Sequence, residues 1–141
     1  MVIDMGDALK NYQTGQIWKY RARDGEAESQ LVIINSTLVP GCGEIYSVAV
    51  EGVKLKNPWM VGGIQTNLPH APVSAGSLDL SVLELIGIRP SPLEEYGDAF
   101  QEWKQPFDRG EAGVFTISIA EILNCIEEAV EHGTIIDKED L

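Results

Sequence analysis

Ser29-Gln30-Leu31-Val32-Ile33-Ile34-Asn35-Ser36-Thr37-Leu38-Val39 is the stretch that decides the fold. Four consecutive apolar residues, three of them β-branched, do not alternate, so they mark a strand buried on both sides rather than on one. Pro40-Gly41-Cys42-Gly43 breaks this strand, and Glu44 to about Lys54, rich in Val, Ile and Tyr, forms the next. Upstream, Gly15 opens Gln16-Ile17-Trp18-Lys19-Tyr20-Arg21-Ala22-Arg23. A period of two puts Trp18, Tyr20 and Ala22 on one face and Ile17, Lys19, Arg21 and Arg23 on the other. Asp24-Gly25-Glu26 turns the chain between them. Three strands joined by short turns make an antiparallel meander.

Downstream, Leu55 to Val73 reads as an irregular stretch. Prolines 58, 69 and 72 forbid a helix through it, and Gly63–Leu68 has the composition of a fourth strand. Ser74 then starts a helix whose body is Ala75–Gly87, with Leu78, Val82 and Leu85/Ile86 on one face and Gly87 as its stop. Ser91-Pro92 caps a second helix, with Glu94 and Glu95 at its positive end and Leu93, Tyr96, Phe100, Trp103 and Phe107 as an aromatic stripe. Pro106 is expected to end it, near Lys104. Glu111–Ile117 reads as a last strand. Ser118 with Glu121 forms a capping box for a final helix through Ile119, Ile122/Leu123, Ile126 and Ala129/Val130, stopped by Gly133. Residues 1–12 and 134–141 are expected as mobile termini. Strands first and helices later give an α+β domain: a small bent antiparallel sheet or SH3-like half-barrel packed by two to three helices, one domain over 1–141.

Gly15-Gln16-Ile17-Trp18, a charged loop and Leu31-Val32-Ile33-Ile34 resemble the first strands of small SH3-like barrels, a group that includes plasmid-maintenance toxin ribonucleases. The resemblance covers those strands alone, carries no catalytic motif, and implies a barrel-like curvature of the sheet and nothing more.

The 141 residues suit one domain, and 44% hydrophobic content excludes global disorder. No apolar run approaches the roughly 18–20 residues of a membrane helix. The N-terminus, MVIDMGDALK, lacks the pattern of a secretory signal, so a cytoplasmic location is expected. The net charge of -12 argues against nucleic acid, whose binding is driven by Lys and Arg. Cys42 and Cys125 are expected as free thiols, and with His70 and His132 as the only histidines no metal or other cofactor is expected.

The charge is unevenly spread. Residues 1–70 hold seven acids and six bases, while residues 71–141 hold fifteen acids and four bases, so almost the whole excess belongs to the helical half. Glu94, Glu95, Asp98 and Glu102 fall off the aromatic stripe of the second helix, and Glu121, Glu127, Glu128 and Glu131 off the apolar stripe of the last. An acidic face is ordinarily solvated surface. It also steers basic partners, and these residues are the expected docking surface for one. Trp59, in Asn57-Pro58-Trp59-Met60, is either a partner contact or a lid over the core. Lys19, Arg21 and Arg23, with Lys54 or Lys56, make either an anion patch or the charged guard of an edge strand. His70, in Pro69-His70-Ala71-Pro72, is the one candidate for acid–base chemistry, and it lacks an evident partner group. Cys42 between two glycines would need such a base to act as a nucleophile. The expected function is a small acidic binding or regulatory module of the immunity or antitoxin kind, acting on a basic protein. The alternative is a small enzyme or ligand-binding barrel with its pocket near the 55–73 loop.

Overall fold

The computed structural model describes residues 11–41 and 43–131. Among them, β1 (Gln16–Tyr20), β2 (Gln30–Val39), β3 (Gly43–Lys56), β4 (Ile64–Ser74) and β5 (Val82–Ile88) form one antiparallel sheet in the order β4-β3-β2-β1-β5. Three helices pack on it: α1 (Ala75–Ser81), α2 (Pro92–Asp108) and α3 (Ile119–Glu131). The fold is α+β with a bent, open sheet.

Leu31, Val32, Ile33 and Ile34 are each 0% exposed, as a strand covered on both faces requires. Leu31 and Ile33 join Val48 and Val50 of β3, Leu78 of α1, and Ile119, Ile122 and Leu123 of α3 in one core. Ile34 and Ala49 meet Tyr96 of α2, and Ile45 meets Phe100 and Trp103 of the same helix. So α2 covers one face of the sheet while α1 and α3 cover the other. The register steps from Ile33↔Val48 to Asn35↔Ser47, leaving Ile34 as a bulge residue on the α2 side.

Several elements differ from the sequence reading. The stretch 55–73 is mostly ordered as β4, which runs through Pro69 and Pro72. Proline is tolerated there because β4 is an edge strand. The expected strand over 111–117 is one parallel bridge, Phe115 to Val73, in which Phe115 N–H donates to the Pro72 carbonyl at 2.9 Å. The expected helix over 75–87 stops at Ser81, and Val82–Ile88 is β5. Val82 and Leu85 sit opposite Tyr20 and Trp18. The apolar spacing that suits one helix face thus also suits a strand completing the open side of β1. Gly87 lies opposite Ile17 rather than ending a helix.

Ser74 caps α1 as expected, its Oγ accepting the Ser77 N–H at 3.1 Å. Ser91 does not cap α2 through its side chain; it stands in the left-handed region at φ 53°. Pro92 does open the helix, which continues through a buried Pro106 to Asp108. A proline in the last turn removes one hydrogen bond only, so burial of its ring prevails. The Ser118–Glu121 capping box forms in both directions, at 3.1 and 3.2 Å.

Two polar fasteners hold the helices on. Glu51 of β3 accepts from Arg89 at 2.5 and 3.0 Å, from Gln30 at 3.1 Å and from the Tyr96 hydroxyl, which pins the first turns of α2. The Arg89 guanidinium, aided by Tyr96 and Gln30 and opposed by burial, holds the Glu51 carboxyl down to about 2. On the other face Arg23 joins Glu26 at 2.5 Å and Glu127 of α3 at 3.1 Å, and Glu26 accepts the Lys54 N–H at 2.7 Å. Tyr12 is buried with its ring edge-on to Trp18 and Tyr46, and its hydroxyl donates to Asp79 at 2.5 Å. The remaining residues expected as mobile termini fall outside the described residues, except Asn11.

Gly15 (φ 97°) donates its N–H to Ile33 and accepts from Arg89 N–H at 2.6 Å, tying β1 to its neighbours on both sides. A Cβ built there would lie 2.8 Å from the Arg89 carbonyl oxygen. Gly15→Ala should therefore cost about 2 kcal/mol or more, read as a lowered urea midpoint at unchanged slope. Because the Glu51 carboxyl titrates low in the folded chain, its contribution is complete above the ordinary carboxylate range and is lost as pH falls toward about 2. Glu51→Gln should lower stability by about 2 kcal/mol at neutral pH and flatten that acid limb, measured by urea melts across the acid range.

Candidate functional site

His70 sits where β4 carries one extra residue: Val48 pairs with Ala71 and Val50 with Leu68, so Pro69 and His70 together face Ala49. This bulge turns the imidazole under α2, with ring centroids 5.3 Å from Trp103 and 5.9 Å from Phe100. Its Nε2 lies 2.9 Å from the Ser47 hydroxyl. Burial pushes its pKa down to about 4, so the ring is neutral near pH 7. Ser47 is 1% exposed, so its oxygen has no route to a substrate in this arrangement. The pair reads as a hydrogen-bonded filler between sheet and helix. Cys42, the thiol that would need His70 as a base, lies outside the described residues; Cys125 is free and exposed.

The basic trio is not gathered. Since β1 ends at Tyr20, alternation does not carry through to Arg23, which turns to Glu26 and α3. Lys19 donates to the Ala27 carbonyl at 3.2 Å and faces Glu84 across the strand pair. Arg21, Lys54 and Lys56 are exposed.

The acidic residues do stand on the surface. Glu94, Glu95, Asp98 and Glu102 are exposed along α2, and Glu121, Glu128 and Glu131 along α3. Because the two helices cover opposite faces of the sheet, these form two separate acidic surfaces. Glu127 is partly buried and accepts the Lys56 N–H at 2.7 Å. The last turns of α3 are thereby held at the base of the β3–β4 hairpin.

That hairpin carries Trp59 at its tip. Trp59 is 81% exposed and Val61 102%, with Met60 and Ile64 also open, so Trp59 is no lid over the core. The tip is nonetheless well held. Asn57 Oδ1 accepts the Trp59 N–H at 3.0 Å, the Asn57 N–H donates to Gly63 at 2.9 Å, and Asn57 Nδ2 donates to Gln65 at 2.9 Å. Gly62 and Gly63, at φ 84° and 76°, supply the reversal that a side chain would strain.

The edge strand β5 escaped the sequence reading. Its Leu83, Leu85, Ile86 and Ile88, and Leu80 of the preceding α1, are all exposed. Apolar residues at 80, 83, 85, 86 and 88 wrap too far around a helix to form one stripe, and that was the available signal against a helix.

Among the described residues no group of three or more His, Cys, Asp or Glu could hold a metal ion, and no helix is long and apolar enough to cross a membrane. Comparison of the chain with known protein families, with curated proteins and with solved structures returns no match.

The depressed His70 value gives a signed expectation. An unfolded histidine takes its proton near 6.5, whereas folded His70 resists until about 4, so stability is complete above the unfolded value and falls as pH drops between them. The loss should reach at most about 3 kcal/mol. His70→Gln, which can still bond Ser47, should be less stable at pH 7 and lack this part of the pH dependence. Urea midpoints compared at pH 7 and pH 5 check it.

Proposed function

We propose that this chain is a cytoplasmic protein-binding module of the immunity or antitoxin kind, with no nucleic-acid substrate, and that its partner is a basic protein. The observation that carries this reading is the Trp59 tip. A largely exposed Trp on a hydrogen-bonded hairpin gives apolar contact area at little ordering cost, the usual profile of a binding hot spot. The acidic helix α3 is tied to the base of the same hairpin. Glu127 anchors α3 to the hairpin base, and Glu128 and Glu131 are exposed in the same last turns of that helix. Such a rim favours approach of a positive surface and repels a negative one. The row Glu94, Glu95, Asp98 and Glu102 on α2 forms a second acidic surface, and Glu121 lies at the opposite end of α3 from the tip. The alternative, a ligand pocket near 55–73 worked by His70, has weaker support. The ring is packed beneath Trp103 and its hydroxyl partner is buried.

Pull-down from native extract at low and high salt tests the reading. The tagged chain should retain a basic protein at low salt and release it at high salt. Trp59→Ala and Glu128→Lys, both at exposed positions, should each weaken retention about tenfold or more while leaving the thermal melt unchanged. Retention that ignores both salt and Trp59→Ala would refute it.

A further inference from the structure

The two edges of the sheet are built differently. β4 carries Pro69 and Pro72, which remove main-chain donors from that edge. β5 has no proline, and among the described residues its sheet neighbour is β1 alone. Its sequence, Val82-Leu83-Glu84-Leu85-Ile86-Gly87-Ile88, has one charge, and Glu84 is faced by Lys19 of β1. Among the described residues, five of the eleven exposed large apolar side chains fall within residues 80–88: Leu80 of α1 at 56%, and Leu83 at 49%, Leu85 at 45%, Ile86 at 48% and Ile88 at 64% in β5. An open strand of this composition is a template for pairing with another chain.

We infer that β5 is the interface of a twofold homodimer, in which the β5 strands of two copies pair antiparallel and join the two sheets into one. The choice of a second copy rests on area and charge. Each of the four exposed side chains of β5 leaves roughly 90 Å² open, about 360 Å² per protomer and about 720 Å² per pair, and the paired main chain and the adjoining Leu80 of α1 add to this toward the ~1,000 Å² that a specific interface needs. The same apolar strand on both sides is self-complementary, as a twofold contact must be. Two copies with a net charge of -12 repel one another, so they meet most easily at a segment whose one acid is already faced by a lysine. Among the described residues β5 is the one sheet edge without proline, so the pairing closes at two. It is also separate from the Trp59 tip, and its salt response is opposite in sign: screening the repulsion strengthens the dimer, while it weakens capture of a basic partner.

Sedimentation equilibrium of the full chain, from low micromolar to submillimolar concentration and at two salt levels, tests this. Wild type should approach twice the monomer mass, more readily at high salt. Ile86→Lys should return it to the monomer mass, raising the dimer dissociation constant at least about tenfold, with an unchanged far-ultraviolet spectrum. Ile86 is unpaired with β1 in the register, so the fold has no ladder position to lose there. Wild type that stays monomeric throughout, a dimer indifferent to Ile86→Lys, or a mass that grows without limit would each overturn the proposal. Should the variant fail to fold, hydrogen exchange on wild type decides. Protection of the 82–88 amides that rises with protein concentration supports the pairing, and protection independent of concentration overturns it.

Discussion

The double-sided burial of β2 and β3 is the constraint from which the rest of this structure follows. Leu31–Ile34 and Tyr46–Val50 have no solvent face, so each side of the sheet must be covered. The chain answers with α2 on one side and α1 with α3 on the other. The aromatic stripe of α2 is needed because one helix alone must fill its whole layer. On the opposite face two helices share the task with aliphatic Leu78, Ile119, Ile122 and Leu123, and the aromatic bulk there comes from Tyr12 and from Trp18, Tyr20 and Tyr46 of the sheet itself. The polar fasteners lie where each cover begins to overhang the apolar surface. Arg89 and Tyr96 reach back to Glu51 at the start of α2, and Glu127 reaches Arg23 and Lys56 late in α3.

Much of this was legible in the residues. The run 31–34 announced a central strand because four adjacent apolar side chains point alternately to two faces, and both must then be dry. The Ser118–Glu121 box and the Tyr96, Phe100, Trp103 spacing are local signals with local causes, and they hold. Other signals are local but ambiguous. Val82 and Leu85 by themselves suit a helix and a strand alike, and the strand is selected by the free edge of β1 together with the wide scatter of residues 80, 83, 85, 86 and 88 around a helix. Pro69 and Pro72 rule out a helix, yet do not reveal that their strand lies at an edge where prolines are harmless. The exposure of the Glu94–Glu102 row could be read from helical phase. The division of the acids between two faces could not, because it depends on which side of the sheet each helix takes.

His70 shows how a residue type misleads without its surroundings. A lone histidine between prolines invites a chemical role, but a one-residue bulge in β4 turns it inward, where burial favours the neutral ring. Trp59 is the converse case. A tryptophan is commonly core, and here a network around Asn57 carries it outward, at the cost of leaving a large apolar ring in water.

The junction of α1 and β5 has no connecting loop: Ser81 ends the helix and Val82 begins the strand. Ser81 is tied on three sides. Its hydroxyl donates to Ser77 at 2.8 Å and accepts from Ile119 N–H at 3.0 Å, while its carbonyl accepts from Arg21 N–H at 2.8 Å. There is therefore no slack in which an added residue could be absorbed. One insertion after Ser81 would reverse every side chain of β5 and carry Val82 out of the core. The hairpin at 57–63 is held mainly by bonds within its own turn around Asn57, so an added residue there would disturb the turn without changing the register of a strand in the core. The order of side chains along β5 is thus set by the last turn of α1, so a change in the length of that helix is felt along the whole sheet edge.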